Sequence, residues 1–277
     1  MLMNNTVTDN YDKLKYSLFI LPLLLLAAIA FYLYSQHSLS TEGYINIQKD
    51  WFYSMNGELS QFPETEFNLT QIGDSLISLS LLAVFVIYAP KIWEAVVSAS
   101  LVSLLFSQLF KKLFSVPRPA AAFDNSTFEI IGKTLNGHSS LPSGHSITIF
   151  TMLTVLMFGF MPQKLLLKIF WFIPFIILGL VLVLTRVGVG AHYPLDTIIG
   201  GIIGYISGIS GIFISRKYKI FSWIGNRKFY PIFMVLFLVC AIITIIKITE
   251  NNLPVFYCST FSLLVALFLI TRKYVQK

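Results

Sequence analysis

The sequence predicts an all-α fold, a polytopic bundle of transmembrane helices, and two observations carry this prediction. Hydrophobic residues make up 56% of the 277 residues and the mean hydropathy is +0.74, whereas soluble domains are about 45–50% apolar. The apolar residues also gather into runs close to the ~20 residues that a helix needs to cross the hydrocarbon core. The first such run extends from Ser17 to Ser35. We therefore expect an integral membrane protein.

Eight apolar runs are predicted as spans, and several are shorter than the bilayer alone would require. Short spans are expected where helices extend into the head-group region or line a polar site inside the bundle. The first run has a second interpretation as a signal peptide, but its apolar character continues to Tyr34, which favours an uncleaved anchor. The predicted spans are 17–35, 72–89, 95–110, 147–161, 169–185, 195–214, 229–246 and 254–270.

Basic residues divide unevenly between alternate loops. If the N-terminus is cytoplasmic, thirteen lie inside, and seven lie outside: Lys49, Lys111, Lys112, Arg118, Lys133, Arg186 and Lys247. Because cytoplasmic loops carry the excess of Lys and Arg, this is the predicted orientation. The formal net charge of +7 is thus explained by topology and by contact with anionic head groups. A nucleic-acid partner is excluded.

The segment between the first two runs, residues 36–70, is predicted as an acidic, interfacial loop. It holds a single Lys, and its Trp51, Phe52 and Tyr53 suit a membrane interface. The two cysteines, Cys240 and Cys258, fall in apolar runs, so we expect small buried residues and no disulfide or metal site. The acidic residues of the loop are Glu42, Asp50, Glu58, Glu64 and Glu66.

Ionisable and hydrogen-bonding side chains are concentrated between residues 111 and 196, at the ends of the apolar runs. Burying charges there for packing alone would cost several kcal/mol per ion, so we interpret the region as a functional site. It contains three clusters: Lys111-(six residues)-Arg118-Pro119, Pro142-Ser143-Gly144-His145, and Arg186-(five residues)-His192-(three residues)-Asp196.

In this order, the clusters resemble the signature of the type-2 phosphatidic acid phosphatase superfamily, membrane lipid-phosphate phosphatases that are also similar to vanadium haloperoxidases. One position departs from the pattern, because many members have Ser before the third-cluster Arg and this chain has Thr185. The resemblance implies a six-helix phosphatase core, expected over residues 1–214. A basic cytoplasmic loop and two additional spans would follow over residues 215–277. It also implies a phosphohistidine intermediate formed without metal or other cofactor.

Phosphoryl transfer requires a nucleophile, donors for the phosphate oxygens and an acid for the leaving oxygen. We predict His192 as the nucleophile. Asp196, one helical turn later, is its orienting partner, since a carboxylate can fix which imidazole nitrogen faces the phosphate. The competing interpretation is that His192 is a histidine at the membrane interface and that Asp196 interacts with the positive end of the helix dipole.

The second cluster is predicted to begin a helix. Ser143 is a suitable N-cap and Gly144 permits close backbone approach, so the helix N-terminus would form an anion cradle. His145 is the predicted general acid. The alternative is an ordinary capped helix with an incidental histidine. His138, in the preceding loop, has no motif position and is interpreted as a surface or gate residue.

The cations Lys111, Arg118 and Arg186 are predicted to bind the phosphate oxygens, with the Arg forks able to bind two oxygens each. The alternative interpretation is that these side chains snorkel, which places their charged ends at the membrane interface. For Lys112 this alternative is preferred. No metal is implied, because the sequence shows neither a carboxylate cluster for Mg²⁺ nor a Cys and His set for Zn²⁺.

A glycine stripe runs along the sixth predicted span, where Gly200, Gly204 and Gly208 repeat at every fourth position. Small residues at this spacing let another helix approach closely. We expect this partner to be a core helix of the same chain, which would hold His192 and Asp196 rigidly. A dimer interface is the alternative, and the oligomeric state is left open.

The expected function is hydrolysis of a lipid phosphate or pyrophosphate in a bacterial inner membrane, with the site on the periplasmic face. Candidate substrates by resemblance are undecaprenyl pyrophosphate, which is preferred, phosphatidylglycerol phosphate, phosphatidic acid and lipid A phosphates. A lipid phosphotransferase that uses the same histidine is a close alternative. A transporter or a non-catalytic lipid-binding protein is a further one, although the glycine stripe gives no sign of the discontinuous helices of transporters.

Overall fold

The computed structural model describes residues 2–276, and the secondary structure of these residues is helical, with no strand. Short 3₁₀ helices lie at Tyr16–Phe19, Gln71–Gly73, Ser222–Gly225 and Arg227–Phe229. The α-helices are α1 (Leu2–Asp12), α2 (Ile20–Ser35), α3 (Thr41–Asn46), α4 (Lys49–Leu59), α5 (Pro63–Thr70), α6 (Ser75–Leu81), α7 (Phe85–Tyr88), α8 (Pro90–Phe114), α9 (Pro119–Ala122), α10 (Gly144–Gly159), α11 (Leu165–Gly188), α12 (Pro194–Tyr218), α13 (Tyr230–Glu250) and α14 (Pro254–Val275).

Six helices of the described chain are long and apolar enough to cross a membrane, which confirms the predicted all-α polytopic bundle. They correspond to six of the eight predicted spans. The fourth predicted span is α10, a shorter apolar helix of 16 residues. Because α10 packs against α8, α11 and α12 and is largely buried, it lies inside the bundle and does not need the length of a lipid-facing helix.

The second predicted span, 72–89, is not one helix. It consists of the 3₁₀ turn at Gln71–Gly73, then α6 and α7, with a break at Leu82–Val84. At the break, Trp93 Nε1 donates a hydrogen bond of 2.7 Å to the carbonyl of Leu82. Interrupted backbone is tolerated at membrane depth only where other protein groups satisfy it. The second predicted span is therefore a broken segment and not a single helix.

The centre of the bundle is the packing of α10 against α12 and of both against α8. A Cβ on Gly200 would lie 2.7 Å from the carbonyl oxygen of Ser143, and a Cβ on Gly208 would lie 2.7 Å from Cβ of Thr154. Gly204 lies against the backbone of Ile147 in the same way. The glycine stripe is thus filled by α10 of the same chain, which confirms the predicted intramolecular packing.

The helices α13 and α14 pair with each other and pack against α6 and Trp93. Thr260 and Thr244 join them by a buried hydrogen bond of 2.9 Å. Both cysteines in this pair are free; Cys240 is half-buried, whereas Cys258 is exposed. The prediction that both are buried was wrong for Cys258, because it lies on the outward side of α14.

The three clusters lie at one end of the bundle, termed the motif face. Both ends of the described chain lie at the opposite end: Asn4 accepts a hydrogen bond from the backbone of Lys91, and Arg227 contacts the carbonyl of Tyr274. Because both ends lie on the same side, the described chain crosses the bundle an even number of times. The shorter helix α10 and the broken segment 71–89 each count as one crossing.

Candidate active site

Backbone hydrogen bonds join the three clusters at the motif face. The backbone N–H of Ser143 donates to the carbonyl of Asp196 at 3.1 Å, which ties the second cluster to the third. The N–H of Ser140, just before the second cluster, donates to the carbonyl of Val116 at 3.0 Å. That bond ties the second cluster to the first, so residues far apart in the sequence form one site.

The imidazole of His192 is buried between an acidic and a basic partner. Its Nδ1 lies 3.4 Å from Oδ2 of Asp196, and its Nε2 lies 3.2 Å from Nη1 of Arg118. A guanidinium can only donate hydrogen bonds, so Nε2 acts as the acceptor and the ring proton is on Nδ1, facing the carboxylate. This is the tautomer in which the lone pair of Nε2 is available for reaction.

Burial and neighbouring cations lower the pKa of His192 well below its ordinary value of 6.5. Burial is the larger cause, because it disfavours the charged form. The positive charges of Arg118, Arg186 and Lys111 act in the same direction. The imidazole is therefore neutral at pH 7, as a nitrogen nucleophile must be.

The carboxylate of Asp196 is fully buried and accepts hydrogen bonds on both oxygens. Oδ1 accepts from the hydroxyl of Tyr44 at 2.8 Å. Oδ2 accepts from the hydroxyl of Ser140 at 2.6 Å and from the backbone N–H of Tyr193 at 3.0 Å. These donors offset the loss of water around a buried charge. The carboxylate is thus held in one orientation beside His192.

The three predicted cations lie close enough to His192 for their charges to act on its ring, and within the described chain they have no carboxylate partners of their own. Arg118 Nη1 donates to the carbonyl of Ala191 at 3.2 Å, and Arg186, which is buried, donates to Thr70 Oγ1 at 2.7 Å. Lys111 lies in the last turn of α8. Within residues 2–276, none of the three forms an ion pair at 4.0 Å or less.

Arg186 is buried, and Lys111 and Arg118 are half-buried. Cations held in this way without counter-charges are costly, so their grouping is chemically suited to an anion. A phosphate group would supply the missing negative charge and would accept the bidentate hydrogen bonds that guanidinium groups make.

Two further residues of this region lie outside the group of cations. Lys112, which was predicted to snorkel, is exposed, and His138 is exposed as well.

The second cluster forms the start of α10. Ser143 is the N-cap, and its Oγ accepts from the backbone N–H of Ser146 at 3.4 Å and from the hydroxyl of the same residue at 2.9 Å. A Cβ placed on Gly144 would lie 3.2 Å from Nζ of Lys111. The helix N-terminus and the ammonium group thus lie together, which gives this corner of the site positive potential.

His145, in the first turn of α10, is half-buried against the segment that precedes α6. A Cβ on Gly73 would lie 2.6 Å from Cβ of His145, closer than real side chains approach each other. Glycine at position 73 is therefore required for the chain to lie against this histidine.

Residues 91–221 match the family model of the PAP2 superfamily, and this match contains all three clusters. This part of the chain, just under half of its length, is thus similar to the PAP2 superfamily. The predicted family resemblance is confirmed over these residues. A comparison with curated proteins gives no match. Among solved structures, this chain is similar to Aquifex aeolicus LpxE, with 24% sequence identity and a TM-score of 0.49, over 60% of this chain and 95% of that one.

A stripe of buried, mainly polar residues outside the matched region covers the site, and the sequence analysis missed it. Asn56 donates to the carbonyls of Val187 and Gly188 at 3.0 and 3.1 Å, at the end of the helix that carries Arg186. Gln48 accepts from the backbone N–H of Leu195 at 3.0 Å, at the start of α12. The stripe, termed the covering stripe, consists of Tyr44, Gln48, Phe52, Asn56 and Thr70.

The segment 36–70 is therefore not simply an interfacial loop. Its members Tyr44, Gln48, Phe52 and Asn56 recur at every fourth residue, which is the spacing of one helix face. That periodicity was the available signal. Glu66 also departs from the prediction of an acidic, interfacial loop, because it is only 7% exposed, and burial raises the pKa of its carboxyl group.

Proposed function

We propose that this chain is a membrane phosphatase that hydrolyses a lipid phosphate or pyrophosphate through a covalent phosphohistidine at His192. The observation that carries the proposal is the placement of His192: Nδ1 faces Asp196, and Nε2 faces Arg118. The PAP2 match supports the membrane phosphatase class. The lone pair of Nε2, which accepts from Arg118 in this structure, points toward an anion-binding group, and it is released for in-line attack on phosphorus when that group binds the phosphate.

In the first step, His192 Nε2 forms a bond to phosphorus while the bond from phosphorus to the lipid oxygen breaks. His145 enters this step as the imidazolium, which the negative charge of the bound phosphate favours, and gives its proton to the departing oxygen. Arg118, Arg186 and Lys111 stabilise the charge on the remaining phosphate oxygens, together with the N-terminus of α10 at Ser143 and Gly144. The products of this step are the lipid alcohol, or the lipid monophosphate from a pyrophosphate, and the phosphoenzyme.

In the second step, water attacks the phosphohistidine. His145, now neutral, accepts a proton from this water, the bond between phosphorus and nitrogen breaks, and inorganic phosphate leaves. Asp196 stays ionised throughout and stabilises the positive ring of the phosphorylated His192. No step in this scheme uses a metal ion or another cofactor.

The proposed substrate is a lipid because the site lies at the ends of membrane-spanning helices. Undecaprenyl pyrophosphate, phosphatidylglycerol phosphate, phosphatidic acid and lipid A phosphates are the candidates, and the first is preferred. The proposed location is a bacterial inner membrane, with the site on the periplasmic face. Loop charge supports this orientation.

The test is phosphate release from the detergent-solubilised protein across a panel of these lipids. We expect release from at least one lipid, no release by His192→Ala protein, and undiminished activity in excess EDTA. Loss of activity in EDTA that Mg²⁺ restores would refute the metal-free scheme. If no lipid on the panel is hydrolysed, the hydrolase proposal fails.

A lipid phosphotransferase is the second candidate, because the same phosphohistidine can pass its phosphate to a lipid alcohol in place of water. Adding an acceptor lipid to the assay separates the two. A transferase would give phosphorylated acceptor and little inorganic phosphate, whereas a hydrolase would release phosphate whether or not the acceptor is present. A non-catalytic lipid-binding protein would bind the panel lipids and form neither product.

A further inference from the structure

The two oxygens of the Asp196 carboxylate have different partners. Oδ2 receives donors from its own element and from the loop before α10, namely Ser140, the backbone of Tyr193 and the ring of His192. Oδ1 receives a single donor within the described chain, the hydroxyl of Tyr44 at 2.8 Å. Tyr44 lies on α3, outside the three clusters, so one half of this carboxylate depends on the covering stripe.

Tyr44 is itself fixed in place. The hydroxyl of Ser40 caps α3 by accepting from Gly43 N–H at 3.1 Å. Gln48 donates to the carbonyl of Tyr44 at 2.8 Å and accepts from Leu195 N–H at 3.0 Å. Gln48 therefore joins the backbone of Tyr44 directly to the first turn of α12, the turn that carries Asp196.

The phenol of Tyr44 remains a donor across the physiological pH range. The side chain is 4% exposed and packs in an apolar cluster with Leu33 and Tyr193. Burial raises the pKa of Tyr44 well above its ordinary value, and the negative charge of Asp196 raises it further.

We propose that Tyr44 is a positioning residue of the reaction, which acts through Asp196 to hold the imidazole of His192 in its reactive tautomer and orientation. Without the phenol hydroxyl, Oδ1 would be buried with no donor, a costly state for an ionised oxygen. The carboxylate would then turn or take up a proton, and either change weakens its hold on Nδ1. The inference rests on the proposed function, because it assigns Tyr44 a part in phosphoryl transfer at His192.

The expected effect is on turnover and not on substrate affinity. Arg118, Arg186 and Lys111, the proposed phosphate ligands, make no hydrogen bond to Tyr44. We therefore expect Tyr44→Phe to lower kcat about tenfold, the typical effect of losing one hydrogen bond to a charged group, with KM unchanged. The formation of the labelled phosphoenzyme should slow by the same factor.

Tyr53→Phe is the matched control. It makes the same chemical change in the same segment, and its hydroxyl lies 3.0 Å from Thr127 Oγ1 on the exposed loop, away from Asp196. Both variants keep the aromatic ring and thus its packing. Thermal unfolding of both proteins in detergent, measured before the kinetics, checks that each is folded at the assay temperature.

A second test, made in the Asp196→Ala protein, separates a positioning role of Tyr44 from a general loss of structure. In Asp196→Ala protein the carboxylate is absent, so adding Tyr44→Phe should lower the residual rate no further. An aryl phosphate with an acidic phenol as leaving group is the substrate for this comparison, because it needs the least help from the enzyme. A further tenfold loss in this background would overturn the proposal.

The remaining outcomes distinguish this proposal from the function on which it rests. If wild-type protein releases no phosphate from any substrate, the proposed function has failed. If wild-type protein is active and Tyr44→Phe is as active, only the role of Tyr44 is wrong. Equal losses in Tyr44→Phe and Tyr53→Phe, or a loss confined to KM, also overturn the positioning role.

Discussion

Nη1 of Arg118 lies 3.2 Å from Nε2 of His192, on the side of the ring opposite the nitrogen that faces Asp196. A phosphate oxygen bound by this guanidinium would bring phosphorus close to the lone pair of Nε2. The contact therefore links substrate binding and nucleophilic attack through one residue. It also joins the first cluster to the third, across 74 positions of sequence.

The two histidines should respond differently to the leaving group. His192→Ala should abolish turnover on every substrate, because the atom that bonds phosphorus is absent. His145→Ala should lose about 10²–10⁴-fold on a lipid phosphate, the usual contribution of a general acid, and should recover much of this loss on an aryl phosphate with an acidic phenol.

Acid-quenched labelling with ³²P-substrate checks the same assignment. Wild-type protein should carry acid-labile, base-stable label, as a phosphohistidine does, and His192→Ala should carry none. Label that persists in His192→Ala and disappears in His145→Ala would mean that the two roles are exchanged.

The pH dependence of kcat/KM should reflect the lowered pKa of His192. The neutral ring is the nucleophile, and its folded-state pKa lies well below 6.5, so the ring keeps its reactive form as the pH falls through 6.5. We expect the acid limb of kcat/KM, which reports the free enzyme, to lie well below pH 6.5. Half-loss near pH 6.5 on this acid limb, where an unperturbed histidine titrates, would contradict the assignment. The ionisation of the substrate phosphate, measured by ³¹P NMR in the same micelles, is the control.

Cysteine labelling in intact cells tests the orientation. A cysteine at Gly57 should react with an impermeant thiol reagent from outside, and one at Lys164 should not. Both positions are exposed, and a side chain at Gly57 meets no other atom within 4 Å. The background should lack Cys240 and Cys258. Labelling at Lys164 alone would place the motif face in the cytoplasm and remove recycling of undecaprenyl pyrophosphate at the outer face from consideration.

The glycine seam between α10 and α12 should tolerate no added methyl group. A Cβ on Gly204 would come within 3.0 Å of the carbonyl oxygen of Ile147, so Gly204→Ala should destabilise the protein by about 1–3 kcal/mol through overpacking. Gly57→Ala, on an exposed helix face with open space around it, should be neutral or stabilise by roughly 0.5–1 kcal/mol. Thermal unfolding in detergent compares the two, and equal midpoints would contradict the packing.

Local patterns in the sequence were sufficient to predict the class of fold and the three clusters. A run of apolar residues requires a hydrocarbon environment wherever it lies in the chain, and the glycine spacing on α12 requires a close helix partner. Likewise, a cation or histidine at the end of an apolar run has few purely structural explanations. These inferences depend on neighbouring residues alone, so no tertiary contact was needed to make them.

Only the tertiary structure decided which groups hold the site together. Tyr44 and Asp196 are 152 residues apart in the chain, and nothing near either residue indicates that one donates a hydrogen bond to the other. The same is true of the break in the second predicted span, where the carbonyl of Leu82 is satisfied by Trp93 of another helix. Buried polar groups must find partners, but which partner each one finds depends on how the helices pack.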